Sequence, residues 1–238
     1  MACLTPDNLI VSGGTLKIAA KKETVKCPSG AVRNYTSGFI GSRETGNYYP
    51  LEGRYEIRAK VPHAQGMWPA FWLRHRYGAS TAEVDVMEYF HSAAPGRTSQ
   101  TLHLAGQQNI AKTNDAFEAP TVSPGWHTWA VDIRKVEGNA IRFIFYTDGV
   151  ETMRYVDYSA WKWNTADPNE SWDMAVNMAV GGNWAGEPDG ELGLLPNLNR
   201  CSTWGKFPPN CPTANIRRVD WNDPRTSTFE VDWVKHPS

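Results

Sequence analysis

Apolar and polar residues alternate in short runs along this chain, with turn-forming residues between the runs. The clearest are Leu16-Lys17-Ile18-Ala19, Arg54 to Val61, Thr128 to Ile133, Arg142 to Tyr146 and Phe229 to Val234. In each, β-branched and aromatic side chains supply one face and polar side chains the other, which is the period-two pattern of a half-buried strand. A helical period is almost absent. Thr147-Asp148-Gly149-Val150 carries the Asp-Gly pair of a tight hairpin. The 16 Pro and 20 Gly are scattered as punctuation, without a repeat, a low-complexity tract or an internal boundary. Strands at this density predict one all-β domain over 1–238, built as a sandwich of two large antiparallel sheets packed face to face. The irregular stretch from about Glu187 to Asn215 is the exception. Long loops of that kind are usually functional or disulfide-pinned, and this one is expected to edge a cleft.

Composition narrows the class. The chain has 24 Lys and Arg against 25 Asp and Glu, a formal charge of -1. No basic stripe of the kind that binds nucleic acid is present, and no apolar run is long enough to span a membrane. Nucleic acid and membrane are therefore excluded as expected partners, and a monomer is the default. The 11 Trp read either as core or as the flat lining of a ligand cleft, and sugar rings suit such a lining. The four cysteines form no C-x-x-C pair. Cys201 and Cys211 bracket a loop and are expected to be bonded to each other, with Cys3 and Cys27 as the second pair, which points to an oxidising compartment. Met1-Ala2-Cys3 lacks the features of a secretory leader, so the sequence reads as a mature secreted domain after leader removal. Asn34-Tyr35-Thr36 and Asn169-Glu170-Ser171 fit the glycosylation sequon.

Chemistry concentrates in Ala82-Glu83-Val84-Asp85-Val86-Met87-Glu88-Tyr89. In a regular strand Glu83 and Asp85 share a face and Glu88 takes the other. One extra residue, a β-bulge at Val86-Met87, would return Glu88 to the face of the other two acids. Three acids on one face raise at least one carboxyl pKa. That costs stability, but it serves glycoside hydrolysis, which needs one ionised and one protonated carboxyl. Residues two steps apart on a strand are roughly 6–7 Å apart, and side-chain oxygens can converge to the approximately 5–5.5 Å of a retaining pair. The rival readings are a solvated acidic strand and a calcium site.

The surrounding motifs make the pattern specific. They are Gly66-Met67-Trp68-Pro69-Ala70-Phe71-Trp72-Leu73, Val176 to Trp184, Tyr35-Thr36-Ser37-Gly38 with Ser42-Arg43, Gly53-Arg54-Tyr55-Glu56, His103, Trp126-His127-Thr128-Trp129 and the closing Phe229 to Val234. In this order, over nearly the whole chain, the sequence resembles glycoside hydrolase family 16, in the laminarinase-like branch with a bulged E-x-D-x-x-E strand. The resemblance implies a β-jelly roll with a cleft across its concave sheet. It implies a retaining endo-glycosidase acting on a β-linked polysaccharide, β-1,3-glucan or mixed-linkage β-1,3-1,4-glucan. By position, Glu83 resembles the nucleophile, Glu88 the acid/base, and Asp85 the helper that bonds and orients Glu83. It also implies substrate contacts from Trp68, Trp72, Arg43, Asn47, Asn177 and Trp184, and from His103 near the acid/base. No cofactor is implied for catalysis. Gly53 and Asp232 resemble positions at a structural calcium on the convex face, a site that varies across the family.

Two stretches depart from the branch. The approach to the catalytic strand, Tyr77-Gly78-Ala79-Ser80-Thr81, lacks a Trp-Pro pair, and Arg74-His75-Arg76 replaces the usual apolar residue and Gly. These cations either face the cleft, suiting an anionic polymer, or form a solvated strand end, which is the expectation here. The alternatives in function are a galactanase of the agarase or carrageenase type and a non-catalytic lectin on the same sandwich.

Overall fold

The computed structural model describes residues 1–77, 82–90, 98–104, 122–158, 170–190 and 216–237. The expected pairing of Cys201 with Cys211, Trp204, Asn169 and the approach residues Gly78 to Thr81 lie outside the described residues.

The strands run in chain order β1 (Cys3–Leu4), β2 (Leu9–Ser12), β3 (Thr15–Ala19), β4 (Lys21–Lys26), β5 (Val32–Ser37), β6 (Phe39–Gly41), β7 (Tyr49–Pro50) and β8 (Gly53–Lys60). They continue as β9 (Met67–His75), β10 (Ala82–Tyr89), β11 (Thr98–Leu104), β12 (His127–Lys135), β13 (Ile141–Thr147), β14 (Val150–Asp157), β15 (Ser171–Val180) and β16 (Thr228–Lys235). A six-stranded sheet has the order β11-β10-β9-β15-β6, with β7 also on β15. A seven-stranded sheet has the order β14-β13-β12-β8-β16-β3-β2. Both are antiparallel throughout, the expected jelly-roll pair.

One face of each sheet is apolar, and the two faces bury each other. Tyr55, Ile57 and Ala59 of β8, Trp129, Val131 and Ile133 of β12, and Phe143 and Phe145 of β13 form one side of the core. Met67, Phe71 and Leu73 of β9 meet them from the other sheet, with Val84, Val86, Met87 and Tyr89 of β10. The buried indoles keep their polar edge satisfied: Trp129 Nε1 donates to Thr98 Oγ1 at 3.1 Å and Trp172 Nε1 to the Leu51 carbonyl at 3.0 Å. An unmet N–H there would cost about 1–3 kcal/mol. Asp148 and Gly149 both adopt positive φ, 49° and 77°, which is the two-residue turn that matches strand twist.

A small third sheet, β1-β5-β4, flanks this core. The Cys3–Cys27 disulfide ties its first strand to the residue after β4, across a sequence separation of 24. At the entry to β9, Gly66 holds φ 86°, and a Cβ there would come within 2.7 Å of the Pro188 backbone nitrogen. Glycine is required at that crossing of β9 with the start of the 187–215 segment.

Candidate active site

Register decides which way the acids face. On β9, Glu83, Asp85 and Glu88 pair with Arg74, Trp72 and Ala70. On β11 they pair with His103, Thr101 and Ser99. The partners step by two on both neighbours while β10 steps by two and then three. The expected bulge therefore falls at Val86 and Met87, and all three carboxyls lie on the outer face of the six-stranded sheet. Val84, Val86 and Met87 fill the core behind them, all fully buried.

The register also corrects the spacing argument. The two glutamates stand opposite residues four apart on β9, roughly 13 Å along a strand at about 3.3 Å per residue. They are not two steps apart. To flank one glycosidic bond they must lean toward each other over Asp85, and a long, flexible Glu at both ends suits that arrangement.

Around the acids the outer face is built in rows. His103, Glu83, Arg74 and Asp173 are aligned across four strands. Thr101, Asp85, Trp72 and Ala175 form the next row, and Ser99, Glu88, Ala70 and Asn177 the one after. Glu88 Oε1 accepts a hydrogen bond from Trp68 Nε1 at 2.9 Å. Asp85 Oδ2 bonds His103 Nε2 at 3.0 Å. Among the described residues this is the hydrogen bond of the Asp85 side chain, so its expected bond to Glu83 is replaced by an electrostatic link. His103 thus serves Asp85 and lies opposite Glu83. It does not stand next to the acid/base position, because the register carries it two rows away.

The electrostatics separate the two glutamates. Burial raises Glu88 well above the ordinary carboxyl value, and the charges of Asp85 and Glu83 add to this against the Trp68 hydrogen bond. Burial and Asp85 also push Glu83 up, to about 7, but His103 and Arg74 oppose them. Asp85 is raised by burial and pulled back by His103. The two glutamates therefore sit in unlike surroundings: both resist ionisation, but Glu83 faces two cations and Glu88 the Trp68 N–H, the kind of asymmetry that paired acid and nucleophile chemistry uses. Glu83, Asp85 and His103 each offer a ligand atom within 4.8 Å of the others. A divalent cation there would engage the Glu83 carboxylate directly.

The other expected residues divide. Trp72 lies on the outer face and its Nε1 donates to Asn177 Oδ1 at 2.7 Å, so it is not a core residue. Trp184 is 41% exposed and lies 6.5 Å from the ring of Phe90, which is 5.1 Å from Trp68. These three rings line one end of the face. Phe90 escaped the sequence reading because it follows the strand without a motif. Arg43 reaches Asp173 Oδ2 at 2.6 Å and the His75 carbonyl at 2.9 Å. Asn47 is exposed and closes its own turn through Thr45 Oγ1 at 2.8 Å.

Two expectations are overturned. Arg74 and His75 are not part of a solvated strand end, and only Arg76 of the three is exposed. Arg74 forks onto Asp173 at 2.9 and 3.1 Å, His75 is buried against Glu170, and Arg76 stacks over Tyr48 at 4.8 Å. Gly53 and Asp232 do not share an ion site. Asp232 is ion-paired to Arg58, and Arg58 is five residues along β8 from Gly53, roughly 16 Å at strand rise.

Comparison with known proteins places this geometry. The family model for glycosyl hydrolases family 16 matches residues 2–192. The chain is 31% identical over 210 residues to a glucan endo-1,3-beta-glucosidase A1 from Niallia circulans, covering 81% of this chain and 28% of that protein. It is 27% identical over 195 residues to a beta-glucanase from Rhodothermus marinus, covering 76% of this chain and 63% of the relative. It thus spans less than two thirds of either relative's length. Its fold is like that of the endo-beta-1,3-glucanase from Pyrococcus furiosus, with a TM-score of 0.68 at 22% identity, over 97% of this chain and 77% of the other. The chain belongs to glycosyl hydrolases family 16.

Proposed function

We propose that this chain is a retaining endo-glycosidase that hydrolyses β-1,3-glucan or mixed-linkage β-1,3-1,4-glucan. The observation that carries the reading is the shared face of Glu83, Asp85 and Glu88, where burial and neighbouring acids raise Glu88 while His103 and Arg74 work against the rise at Glu83. Glu88 donates its proton to the departing glycosidic oxygen while Glu83 attacks the anomeric carbon. Glu88 then takes a proton from water as that water releases the glycosyl-enzyme. Asp85, held by His103, sits between them and its charge favours the protonated form of Glu88. The chemistry uses the chain's own carboxyls and calls for no cofactor. Trp68, Phe90 and Trp184 offer ring faces to sugar, and Trp72 is set in place by Asn177.

The two relatives described above are glucanases by name, which favours glucan as the polymer. The cations that might have suited a sulfated galactan are already engaged, since Arg74 and Arg43 share Asp173. All three acids are present, which argues against a lectin. A disulfide and a polymeric substrate both suit a secreted protein, and we take the chain to act as a single catalytic domain and as a monomer.

Reducing-sugar release from laminarin, barley β-glucan, agarose and carrageenan tests the substrate. The two glucans should be cut and the two galactans left intact. Proton NMR of the fresh product tests the stereochemistry: the β-anomer should appear first. Release of the α-anomer first, or products with unsaturated ends, would overturn the mechanism.

A further inference from the structure

Arg74 lies directly across from Glu83 on the neighbouring strand, where paired side chains are within about 5 Å at Cβ. It is held on two other sides. Both guanidinium nitrogens that reach Asp173 do so at 2.9 and 3.1 Å, and the Trp72 ring lies 5.4 Å from its centre. Asp173 is fully buried and is itself shared with Arg43 at 2.6 Å. A planar guanidinium fixed by a fork and an aromatic face is a pre-oriented charge. It cannot swing away when a substrate covers the face.

Glu83 meets charged groups from every element around it. Asp85 and Glu88 lie on its own strand, His103 faces it from β11, and Arg74 faces it from β9 with Asp173 behind on β15. The charge of Asp85 opposes its ionisation and the two cations favour it. Of the two cations, His103 is itself titratable and is already bonded to Asp85. Arg74 is the permanent charge.

We propose that Arg74, clamped by Asp173, is a positioning residue that keeps Glu83 ionised and so sets the acid limit of turnover. The inference rests on the reading of Glu83 as nucleophile. As glycan binding expels water, the attraction of a fixed cation strengthens, so the carboxylate stays charged in the covered site until it attacks. Asp173 then acts through Arg74 and need not touch the sugar.

The test is the pH dependence of kcat/KM for Arg74→Gln and Arg74→Lys. Glutamine can still donate to Asp173, which favours retention of the fold, and melting curves check it. With the cation gone, the acid limb should move up by about one pH unit, given the ~1–3 units that a neighbouring opposite charge exerts. Activity at the acid end then falls about tenfold while activity on the alkaline side stays near the parent value. Arg74→Lys should keep the limb in place. A raised KM with an unmoved acid limb in folded Arg74→Gln would overturn the proposal. If that variant does not fold, Asp173→Asn, which loosens the clamp without removing the charge, should move the limb in the same direction by less, and an unmoved limb again counts against it. Glu83→Ala with added azide separates this from the reading beneath it. Formation of the α-glycosyl azide upholds Glu83 as nucleophile whatever Arg74 does. Absence of that product removes the nucleophile assignment itself, and the Arg74 proposal with it.

Discussion

The outer faces of the two sheets carry charge in opposite ways. On the seven-stranded sheet, acids and bases are matched: Arg58 with Asp232, Lys60 and Lys17 with Glu230, Arg54 with Glu56. Its aromatic rings are capped by the same cations, with Lys60 4.2 Å and Arg58 4.8 Å from the centre of Trp126. On the six-stranded sheet three acids crowd one strand with fewer cations than acids: His103 is bonded to Asp85 and Arg74 is tied to Asp173. Rings there turn their N–H toward acceptors, Trp68 to Glu88 and Trp72 to Asn177. The first face relaxes its electrostatics and the second holds them under tension. Tension of that kind lowers stability, and it is what a proton donor and a nucleophile need.

The largest effect should come from removing the donor. Glu88→Gln is expected to lower kcat on laminarin by about 10²–10⁴, the usual contribution of a positioned general acid. The loss should shrink on an aryl glycoside whose leaving group needs no proton. Glu230→Gln on the other face should leave kcat within about twofold, as surface substitutions away from a site do. Equal losses for the two variants would erase the distinction between the faces.

The same contrast explains what could be read from sequence. All five of the clearest alternating runs belong to the seven-stranded sheet, as β3, β8, β12, β13 and β16. Its outer face is polar, so period two is visible. On β9 and β15 the outward positions include Trp68, Ala70, Trp72, Ala175 and Asn177 beside Arg74 and Asp173, and the alternation fades because a sugar-facing surface is itself half apolar. There the motifs had to carry the reading. The bulge could be deduced, because Glu88 can join the other acids only through one extra residue. The partners of His103 and Asp85 could not, since register across β11 is set by non-local pairing. Arg74 with Asp173 was hidden for the same reason. They are 99 residues apart in sequence and adjacent only through β9 and β15. The calcium positions failed on register too, with Asp232 brought to Arg58 and not to Gly53.

Stability against pH should separate the faces by sign. Burial and Asp85 raise Glu83 to about 7 in the folded state, above an unfolded value of about 4.3. Its folded form therefore holds its proton more tightly, and that contribution is complete below about pH 4 and lost as pH rises through 7. Glu83→Gln should then stabilise the protein by ~2 kcal/mol at pH 8, after allowance for partial exposure, and by little at pH 4. Glu230 behaves in reverse. Burial pushes it up, but bonds from Thr15 and Lys60 and the charge of Lys17 outweigh this and hold it low. Glu230→Gln should destabilise by less than about 1 kcal/mol at pH 7, with the effect fading as pH falls through the depressed value. Urea titrations at pH 4 and 8 read both signs. A Glu83→Gln variant less stable at pH 8 than the parent would mean that the acid face is not under tension.

The smallest effect sharpens the contrast within the face itself. Trp68 and Trp72 lie on the same strand and the same face, and both indoles donate one hydrogen bond. Trp68 donates to a titrating group and Trp72 to an amide. Loss of the Trp68 N–H removes a hydrogen bond that favours the charged form of Glu88, so the Glu88 pKa must rise further. Trp68→Phe should therefore carry the alkaline limb of kcat/KM upward by about half a pH unit to one unit, on the scale of a neutral donor to a carboxylate. The phenyl ring preserves an apolar face for sugar, so KM should change little. Trp72→Phe lets Asn177 go slack and should raise KM while leaving both limbs in place. If the two variants gave the same profile, Trp68 would be a stacking platform alone, and the tuning of the acid would have to come from Asp85 and burial.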